Sequence, residues 1–355
     1  MYPQLQINLS HIKENINRII DLCQLNDISV TGVVKGCGAL NQVVECFVES
    51  KCTSIGSSRI RQLKSIKETY GSQTMLLRTP MLSEVDQVVL FSDISLNSEL
   101  LTLKALELAA KINQKSHGVI LMYDVGDLRE GVWDKRDIYD LARFVESSDS
   151  LVLKGIGTNI GCYGSVKPSR ENLSDLVEVS EKIEAIIGRS LEIISGGATS
   201  SLTLVKKGDI PKRINHLRLG EGILLGKDLP IYYNCDLKLH DDTFILKAQL
   251  VEIKNKPSHP VGELMVNAFG NKPDYEDRGI ERRGILAIGK QDFGHHDKLI
   301  PIDDTIKVIG SSSDHLIVVI NNDDYEVGDS ILFEMFYQSM LYLSLSPDVK
   351  KHYMI

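Results

Sequence analysis

A lysine directly follows a short apolar run near the beginning of the chain. Lys35 comes after VTGVV (residues 30–34), and GCG follows it. If the apolar run is a buried strand, desolvation at its end lowers the pKa of the lysine amine, because burial disfavours the charged form. A neutral amine can attack a carbonyl carbon and form a Schiff base. The simpler alternative is a lysine at the rim of a strand that extends into solvent.

Two segments rich in glycine and hydroxyl groups predict a second functional feature. They are SGGATSS (residues 195–201) and LRLGEGILLG (residues 217–226). Gly220 and Gly222 allow the backbone to approach a ligand closely, and a helix that opens after them would attract phosphate to its N-terminus. An ordinary tight turn explains either segment alone. Since both segments follow predicted strands and Arg218 lies between them, together they favour a phosphate site.

The elements that would position these residues alternate between apolar runs and amphipathic segments. This alternation predicts parallel βαβ units, and eight strands favour a closed (β/α)8 TIM-type barrel, which we assign to residues 9–233. The active site of such a barrel lies at the carboxyl ends of its strands. The predicted strands are 30–34, 52–56, 74–77, 93–96, 118–124, 153–159, 191–195 and 216–219. The predicted helices include 11–23, 40–49, 58–69, 98–112, 137–146 and 169–187, with Ser10, Ser98 and Ser169 as N-caps.

The pattern changes after about residue 230. Short apolar runs are there separated by clusters of glycine, proline and aspartate, which predicts a mainly β C-terminal domain over residues 234–355 together with residues 1–8. Segment 254–283 is predicted to be an exposed loop that carries one short strand. The other predicted strands are 244–252, 285–288, 306–309, 315–319 and 330–334.

Composition excludes several other classes of protein. The chain has 355 residues, of which 43% are hydrophobic and 25% charged, as in a soluble globular protein. A net charge of -8 argues against a general nucleic-acid surface, which requires clustered basic residues. The first residues lack the pattern of a secretory signal, and six cysteines are scattered without C-x-x-C spacing. We therefore expect a cytoplasmic protein without a structural metal or a membrane span.

Several motifs together resemble a known family. Lys35, MYDVGDLREG (122–131), SGGATSS and LRLGEGILLG before a β domain look like the alanine racemase fold type of pyridoxal-phosphate enzymes. GTNIGCYG (157–164), GILAIGKQDFG (284–294) and IGSSSDHL (309–316) look most like its ornithine/alanine racemase branch. The resemblance covers essentially the whole chain.

The resemblance implies roles for individual residues. Lys35 is the Schiff-base lysine and one of two acid/base groups, and Arg218 donates to the pyridine nitrogen of the cofactor. An arginine is a permanent donor, so it leaves that nitrogen unprotonated and makes the ring a weaker electron sink, which suits a racemase. The remaining cofactor contacts fall on Gly220, Glu221, Thr199 and Ser200 at the phosphate, Asn159 against the ring, and Arg129 near the phenolic oxygen and the substrate carboxylate.

The sequence departs from the family pattern at two supporting positions. Met122 replaces a lysine that is commonly carbamylated and that supports the arginine at position 129, so Asp127 or Glu130 is expected to take its place. Ala39 replaces a tyrosine that binds phosphate, and Tyr337 or Tyr342 is the candidate for that phenol.

The second acid/base group is a larger departure. Alanine racemases use a tyrosine of the partner subunit, and the nearest counterpart here, Phe269, has no proton to give. The candidates are Asp292, Tyr275 and the pair Asp314/His315. We favour the pair, because the matching loop of the family approaches the substrate from the other subunit.

The resulting prediction is a homodimeric, pyridoxal-phosphate-dependent amino-acid racemase with sites shared between subunits. Acidic residues at the predicted mouth favour a basic substrate such as ornithine or lysine, through a carboxylate partner for the distal ammonium: Asp127, Glu130, Asp292 and Asp314. The alternatives are a racemase of alanine or another small amino acid, and a non-catalytic carrier of pyridoxal phosphate. A decarboxylase is disfavoured because Cys235 is poorly placed, and a metal-dependent aldolase because the adjacent His295 and His296 would point apart.

Overall fold

The computed structural model describes residues 3–266, 269–270 and 274–355. The chain forms two compact units, one of His11–Asp241 and one of Met1–Ser10 with Asp242–Ile355. The boundary predicted from the sequence lies earlier, after residue 233. Residues up to 241 belong with the first unit because His240 and Asn15 exchange two hydrogen bonds, from Asn15 Nδ2 to the His240 carbonyl at 2.8 Å and from the His240 amide to Asn15 Oδ1 at 2.7 Å.

The first unit is a closed barrel of eight parallel strands with helices between them, as the sequence predicts. Strand β1 (Gln4–Asn8) belongs to the second unit. The barrel strands follow in chain order around the barrel: β2 (Ser29–Val33), β3 (Ser54–Ser57), β4 (Thr74–Leu76), β5 (Ile94–Asn97), β6 (His117–Met122), β7 (Leu151–Gly157), β8 (Ile193–Ser195) and β9 (His216–Leu219), which pairs with β2. The helices of this unit are α1 (Leu9–Gln24), α2 (Asn41–Val48), α3 (Ile60–Tyr70), α4 (Val85–Phe91), α5 (Leu100–Ile112), α6 (Lys135–Glu146), α7 (Arg170–Ile187), α8 (Leu202–Lys207), α9 (Glu221–Leu225) and α10 (Asp228–Tyr233).

Apolar side chains fill part of the barrel interior. A cluster of Val33, Met75, Leu96, Ile120 and Met122 is among the most buried parts of the chain. All six residues of β6 are buried, which explains why its sequence is a nearly continuous apolar run.

The predicted helix N-caps have different outcomes. Ser169 caps α7, and its hydroxyl and the side chain of Asn172 form a capping box, as predicted. The prediction for Ser10 is wrong, because Ser10 lies inside α1 and its hydroxyl donates to Asn8 Oδ1 at 2.7 Å. The prediction for Ser98 is also wrong, because α5 begins after Glu99, which makes no capping bond through its side chain.

The second unit is built on an antiparallel sheet, as the sequence predicts. Its elements are β10 (Phe244–Pro257), β11 (Ile280–Leu286), β12 (Leu299–Pro301), β13 (Ile306–Ser311), β14 (Leu316–Ile320), β15 (Ser330–Met335) and β16 (Lys350–Met354), with helices α11 (Lys290–Phe293) and α12 (Tyr337–Leu345). The strands run in the order β12-β15-β10-β11-β14-β13, and β1 pairs antiparallel with β10 and parallel with β16.

Two strands extend into the segment predicted to be an exposed loop. Lys254 of β10 pairs with Arg283 of β11, and Lys256 pairs with Glu281. Because these residues are charged, this part of the two strands does not appear as an apolar run in the sequence. Residues 271–273 of the same segment lie outside the described part of the chain. Among the described helices, none is long and apolar enough to cross a membrane.

Candidate active site

Lys35 lies just beyond the carboxyl end of β2 and is half-buried. A tight turn fixes its backbone, because the amide of Gly38 donates to the Lys35 carbonyl at 3.2 Å and the amide of Ala39 donates to the Val34 carbonyl at 3.0 Å. Burial, and then the nearby positive charge of Arg129, lower the pKa of the Lys35 amine. The strand end therefore presents an amine that loses its proton more readily than an ordinary lysine.

Arg218 lies on β9, which pairs with β2, and is 4% exposed. Its guanidinium donates to Ser195 Oγ at 2.5 Å, to the Thr158 carbonyl at 2.7 Å and to Asn159 Oδ1 at 3.3 Å. Burial lowers the pKa of Arg218 to about 10, so the group remains charged at neutral pH. A buried cation is thus held by neutral acceptors from two neighbouring strand ends.

A second arginine, Arg129, connects to Arg218 through Glu130 and Asn159. Glu130 accepts two bonds from Arg129, from Nε and from Nη2, the latter at 2.5 Å, and one from Asn159 Nδ2 at 2.5 Å. Burial draws the pKa of Arg129 down, but the bond to Glu130 raises it above its ordinary value. Of the two carboxylates expected to support Arg129, Glu130 makes the contact.

The two segments rich in glycine and hydroxyl groups come together beside β9. Thr199 Oγ1 accepts from the amide of Gly222 at 3.1 Å, and the Ser200 hydroxyl donates to the Ile160 carbonyl at 3.1 Å. A Cβ at Gly220 would lie 2.6 Å from the Val33 carbonyl, so β9 and β2 can approach only because this residue is glycine. The predicted phosphate site is therefore a packed junction of strand ends.

Asp127 is fully buried, and it does not support Arg129 as the sequence allowed. Its carboxylate accepts from the backbone amides of Gly161, Cys162, Tyr163 and Val166 at 2.9 to 3.3 Å. All of these amides belong to the loop after β7. The carboxylate therefore holds that loop in place, and the prediction that it pairs with a substrate ammonium is wrong.

Cys162, in the same loop, contributes a group that the sequence reasoning missed. Its thiol is exposed, and Arg129 Nη1 lies 3.0 Å from Sγ. Its charge would also raise the pKa of Lys35, which places it close to the lysine. The motif GTNIGCYG was a signal, but the cysteine carried no spacing pattern that would single it out.

A carboxyl pair lies next to the predicted phosphate site. Glu221 opens α9, Asp228 opens α10, and their side chains share a hydrogen bond. Burial, and then the bond to Asp228, raise the pKa of Glu221 well above its usual range. Glu221 therefore binds a proton more readily than an ordinary glutamate.

The candidates for the second acid/base group belong to the β unit and differ in exposure. Asp314 and His315 are both exposed in the turn between β13 and β14, where Ser313 Oγ donates to Asp314 Oδ2 at 2.6 Å. Asp292 is 7% exposed and accepts from the Ser346 hydroxyl at 2.8 Å, so its carboxylate is largely enclosed within the β unit. Tyr275 is 40% exposed and stacks edge-on against His259.

Two of the three motifs quoted for the racemase branch, GILAIGKQDFG and IGSSSDHL, adjoin within this unit. The amide of Lys290 donates to the Ser312 carbonyl at 3.0 Å, and Gln291 Nε2 lies 3.4 Å from Asp314 Oδ1. Tyr337, a candidate phosphate ligand, is the half-buried first residue of α12. Tyr342 is 44% exposed on the same helix.

Comparison with known proteins agrees with this fold. Residues 7–227 match the family model described as alanine racemase, N-terminal domain. The chain is 43% identical over 343 residues to an ornithine racemase of Acetoanaerobium sticklandii, with 96% of each chain covered. It is 37% identical over 355 residues to a lysine racemase of Thermotoga maritima, with 99% of each covered.

Solved structures share the fold over nearly the whole chain. An alanine racemase from Streptomyces lavendulae has a TM-score of 0.78 at 13% identity and covers 99% of this chain and 97% of its own. An alanine racemase of Clostridium difficile 630 has a TM-score of 0.74 at 17% identity and covers 100% and 96%. This chain belongs to the alanine racemase family.

Proposed function

We propose that the protein is a pyridoxal-phosphate-dependent racemase of a basic amino acid such as ornithine or lysine. The observation that carries the proposal is the desolvated Lys35 amine beside two arginines at the carboxyl ends of the barrel strands. The names of the relatives point to the same reaction and the same substrate class, because they are an ornithine racemase and a lysine racemase.

The chemistry of the donors fits the cofactor. Lys35 would hold it covalently, and Arg218 would donate to its pyridine nitrogen from a site where three acceptors already fix the guanidinium. Asn159 would lie against the ring and Arg129 near the phenolic oxygen. The phosphate would lie at the junction of Thr199, Ser200, Gly220 and Glu221, with Tyr337 as a further ligand. When bound, pyridoxal phosphate withdraws electrons from the substrate and makes its Cα proton acidic.

The chain's own groups would then move the proton. Lys35 has to be neutral to accept the Cα proton, and its lowered pKa favours that form. Arg218 remains charged and would hold the pyridine nitrogen without giving up its own proton, so the bound cofactor would be a weaker electron sink. That property would favour return of a proton to Cα over side reactions, which suits racemisation.

Racemisation also requires a proton donor on the face opposite Lys35. We assign this role to the pair Asp314/His315 of a second copy of the chain in a homodimer. The exposure of both residues on one turn supports the assignment, because a group that serves another subunit has to be accessible. Histidine has an ordinary pKa that suits proton transfer near neutral pH.

Six free cysteines fit the reducing environment of a cytoplasm.

The test is a panel of single enantiomers in deuterated water. L- and D-ornithine, lysine and alanine are each incubated with the purified protein, and chirality and Cα deuterium are measured. We expect the basic amino acids to racemise with deuterium at Cα, and alanine to react more slowly. Release of carbon dioxide, formation of a keto acid, or faster turnover of alanine would contradict the proposal.

The panel also tests the second group. His315→Ala and Asp314→Ala should slow Cα deuterium exchange of the enantiomer whose proton faces away from Lys35 more than that of the other enantiomer, whereas Cys162→Ala should affect both alike. Wild-type exchange in both β-unit variants would move the role away from this pair, and slower exchange of only that enantiomer in Cys162→Ala would assign it to the thiol.

A further inference from the structure

A chain of buried polar side chains leads away from Arg218 into the barrel. Ser195 Oγ, which accepts from Arg218, lies 2.8 Å from His216 Nδ1. His216 Nε2 lies 2.8 Å from Thr31 Oγ1, which lies 2.6 Å from Ser54 Oγ. All five residues are at most 5% exposed, and they come from strands β9, β8, β2 and β3. A connected network of this kind inside a barrel has to satisfy every member, because water does not compensate for a missing partner.

Counting protons gives the network one direction. Arginine only donates, so the Ser195 oxygen is an acceptor toward Arg218 and its single proton is available for His216 Nδ1. Nδ1 is then unprotonated, and Nε2 carries the ring proton and donates it to Thr31. The Thr31 proton then faces away from the ring, toward Ser54 Oγ or Met75 Sδ. In the opposite direction Nδ1 would donate to Ser195, whose oxygen would then accept two bonds, and the Ser195 proton would have no acceptor within the network.

The charge of His216 is also fixed. Burial, and then the charge of Arg218, lower the pKa of His216 to about 3. The ring is therefore neutral throughout the physiological range, and Arg218 remains the cation of this network.

We infer that His216 is a positioning residue, which as the neutral Nε2–H tautomer orients the Ser195 hydroxyl as an acceptor and thereby fixes the Arg218 guanidinium. The structural part of this inference stands on the network alone. Its consequence for turnover rests on the proposed function, in which the free N–H groups of Arg218 meet the pyridine nitrogen. A guanidinium with a defined orientation makes that bond without first paying for its own ordering.

The first experiment measures the tautomer. Histidine labelled with 15N in the full-length purified protein is examined by NMR at neutral pH, and His216 is assigned from its loss in the His216→Phe variant. We expect one pyrrole-type nitrogen at Nε2 and one pyridine-type nitrogen at Nδ1. A proton on Nδ1, or an imidazolium, would overturn the inference. This result does not depend on activity, so it distinguishes a failure of the inference from a failure of the proposed racemase.

The second experiment removes the network and keeps the volume. His216→Phe should lower kcat roughly tenfold, as expected for the loss of an ordered hydrogen bond, with a smaller change in KM and a shifted absorption band of the bound cofactor. His216→Asn retains an acceptor near Nδ1 and should restore part of the loss. Unchanged kcat and absorption in His216→Phe would overturn the inference.

A matched control separates positioning from barrel stability. His117 of β6 is 1% exposed, and its Nε2 lies 2.7 Å from Ser95 Oγ, so it is an equally buried histidine–serine pair. His117→Phe should lower thermal stability much as His216→Phe does, but leave kcat and the cofactor absorption unchanged. Equal catalytic losses in the two variants would show that His216 acts only through stability.

Discussion

The opposing charges around Lys35 give a prediction with two signs. Arg129 lowers the pKa of the Lys35 amine and Glu130 raises it, and the two charges are paired with each other. Replacing Glu130 by glutamine removes a negative charge and leaves Arg129 uncompensated, so the pKa of Lys35 should fall. Arg129→Gln leaves Glu130 unpaired, so the pKa of Lys35 should rise.

The expected size follows from the exposure of the pair. A charge at contact distance shifts a pKa by roughly one to three units, and solvent reduces that effect. The side chains of Arg129 and Glu130 are 32% and 20% exposed, so the lower end of the range applies. We expect a shift of about one unit in each direction, which corresponds to about 1.4 kcal/mol.

The assay follows the formation of the lysine adduct in protein freed of cofactor. Pyridoxal phosphate is added at a series of pH values, the adduct is trapped with borohydride, and the rate at the Lys35 peptide is measured. The pH midpoint reports the amine pKa and does not depend on turnover. Glu68→Gln, on the exposed face of α3, is the control and should leave the midpoint unchanged. Shifts of the same sign in both active-site variants would refute the electrostatic reasoning.

Three further predictions concern the surroundings of the lysine. Gly220→Ala places a Cβ against the Val33 carbonyl and should lower the free energy of unfolding by about 1–3 kcal/mol. Gly310→Ala, with open space at its Cβ, is the control and should change that free energy by less than about 0.5 kcal/mol. Equal losses of stability in the two variants, measured by chemical denaturation, would contradict this. Because folding raises the pKa of Glu221, the folded state binds a proton that the unfolded state releases, and the free energy of unfolding of the cofactor-free protein should fall as pH rises above 4.5. Glu221→Gln should flatten that pH dependence. If denaturation curves give the same pH dependence for the variant and the wild type, Glu221 does not hold the proton. Iodoacetamide should alkylate Cys162 before the other cysteines, and substrate should slow the reaction; peptide mapping that finds another cysteine first would contradict the placement of this thiol.

The barrel could be predicted from the sequence because its strands are short and buried on both faces. Such strands appear as apolar runs, and the end of each run marks where a functional side chain can lie. Lys35 and Arg218 could be recognised in this way, since each interrupts or follows an apolar run. Strands β1 and β16 could not, because QLQIN alternates polar and apolar residues over only five positions and KKHYM begins with three polar residues.

The connections within the site depended on loop conformation. Asp127 and Glu130 are three residues apart, and the sequence offered either as the partner of Arg129. The structure separates them, because Asp127 accepts four amides of the loop after β7 while Glu130 reaches Arg129 and Asn159. The sequence does not show which backbone amides a carboxylate will bind. A carboxylate that fixes a loop therefore cannot be distinguished in the sequence from one that binds a ligand.

The network behind Arg218 has a similar explanation. Ser195 and His216 lie on neighbouring strands that pair at these two residues. Their registration follows from closure of the barrel, which sets which strand residues face inward at the same height. Sequence spacing alone does not determine it.

The most direct test of the central claim is the identity of the lysine that holds the cofactor. The purified protein is reduced with borohydride in the presence of pyridoxal phosphate, digested, and mapped by mass spectrometry. We expect a single phosphopyridoxyl adduct on Lys35, and no adduct in Lys35→Ala. An adduct on a different lysine, or no adduct in the wild-type protein, would contradict it.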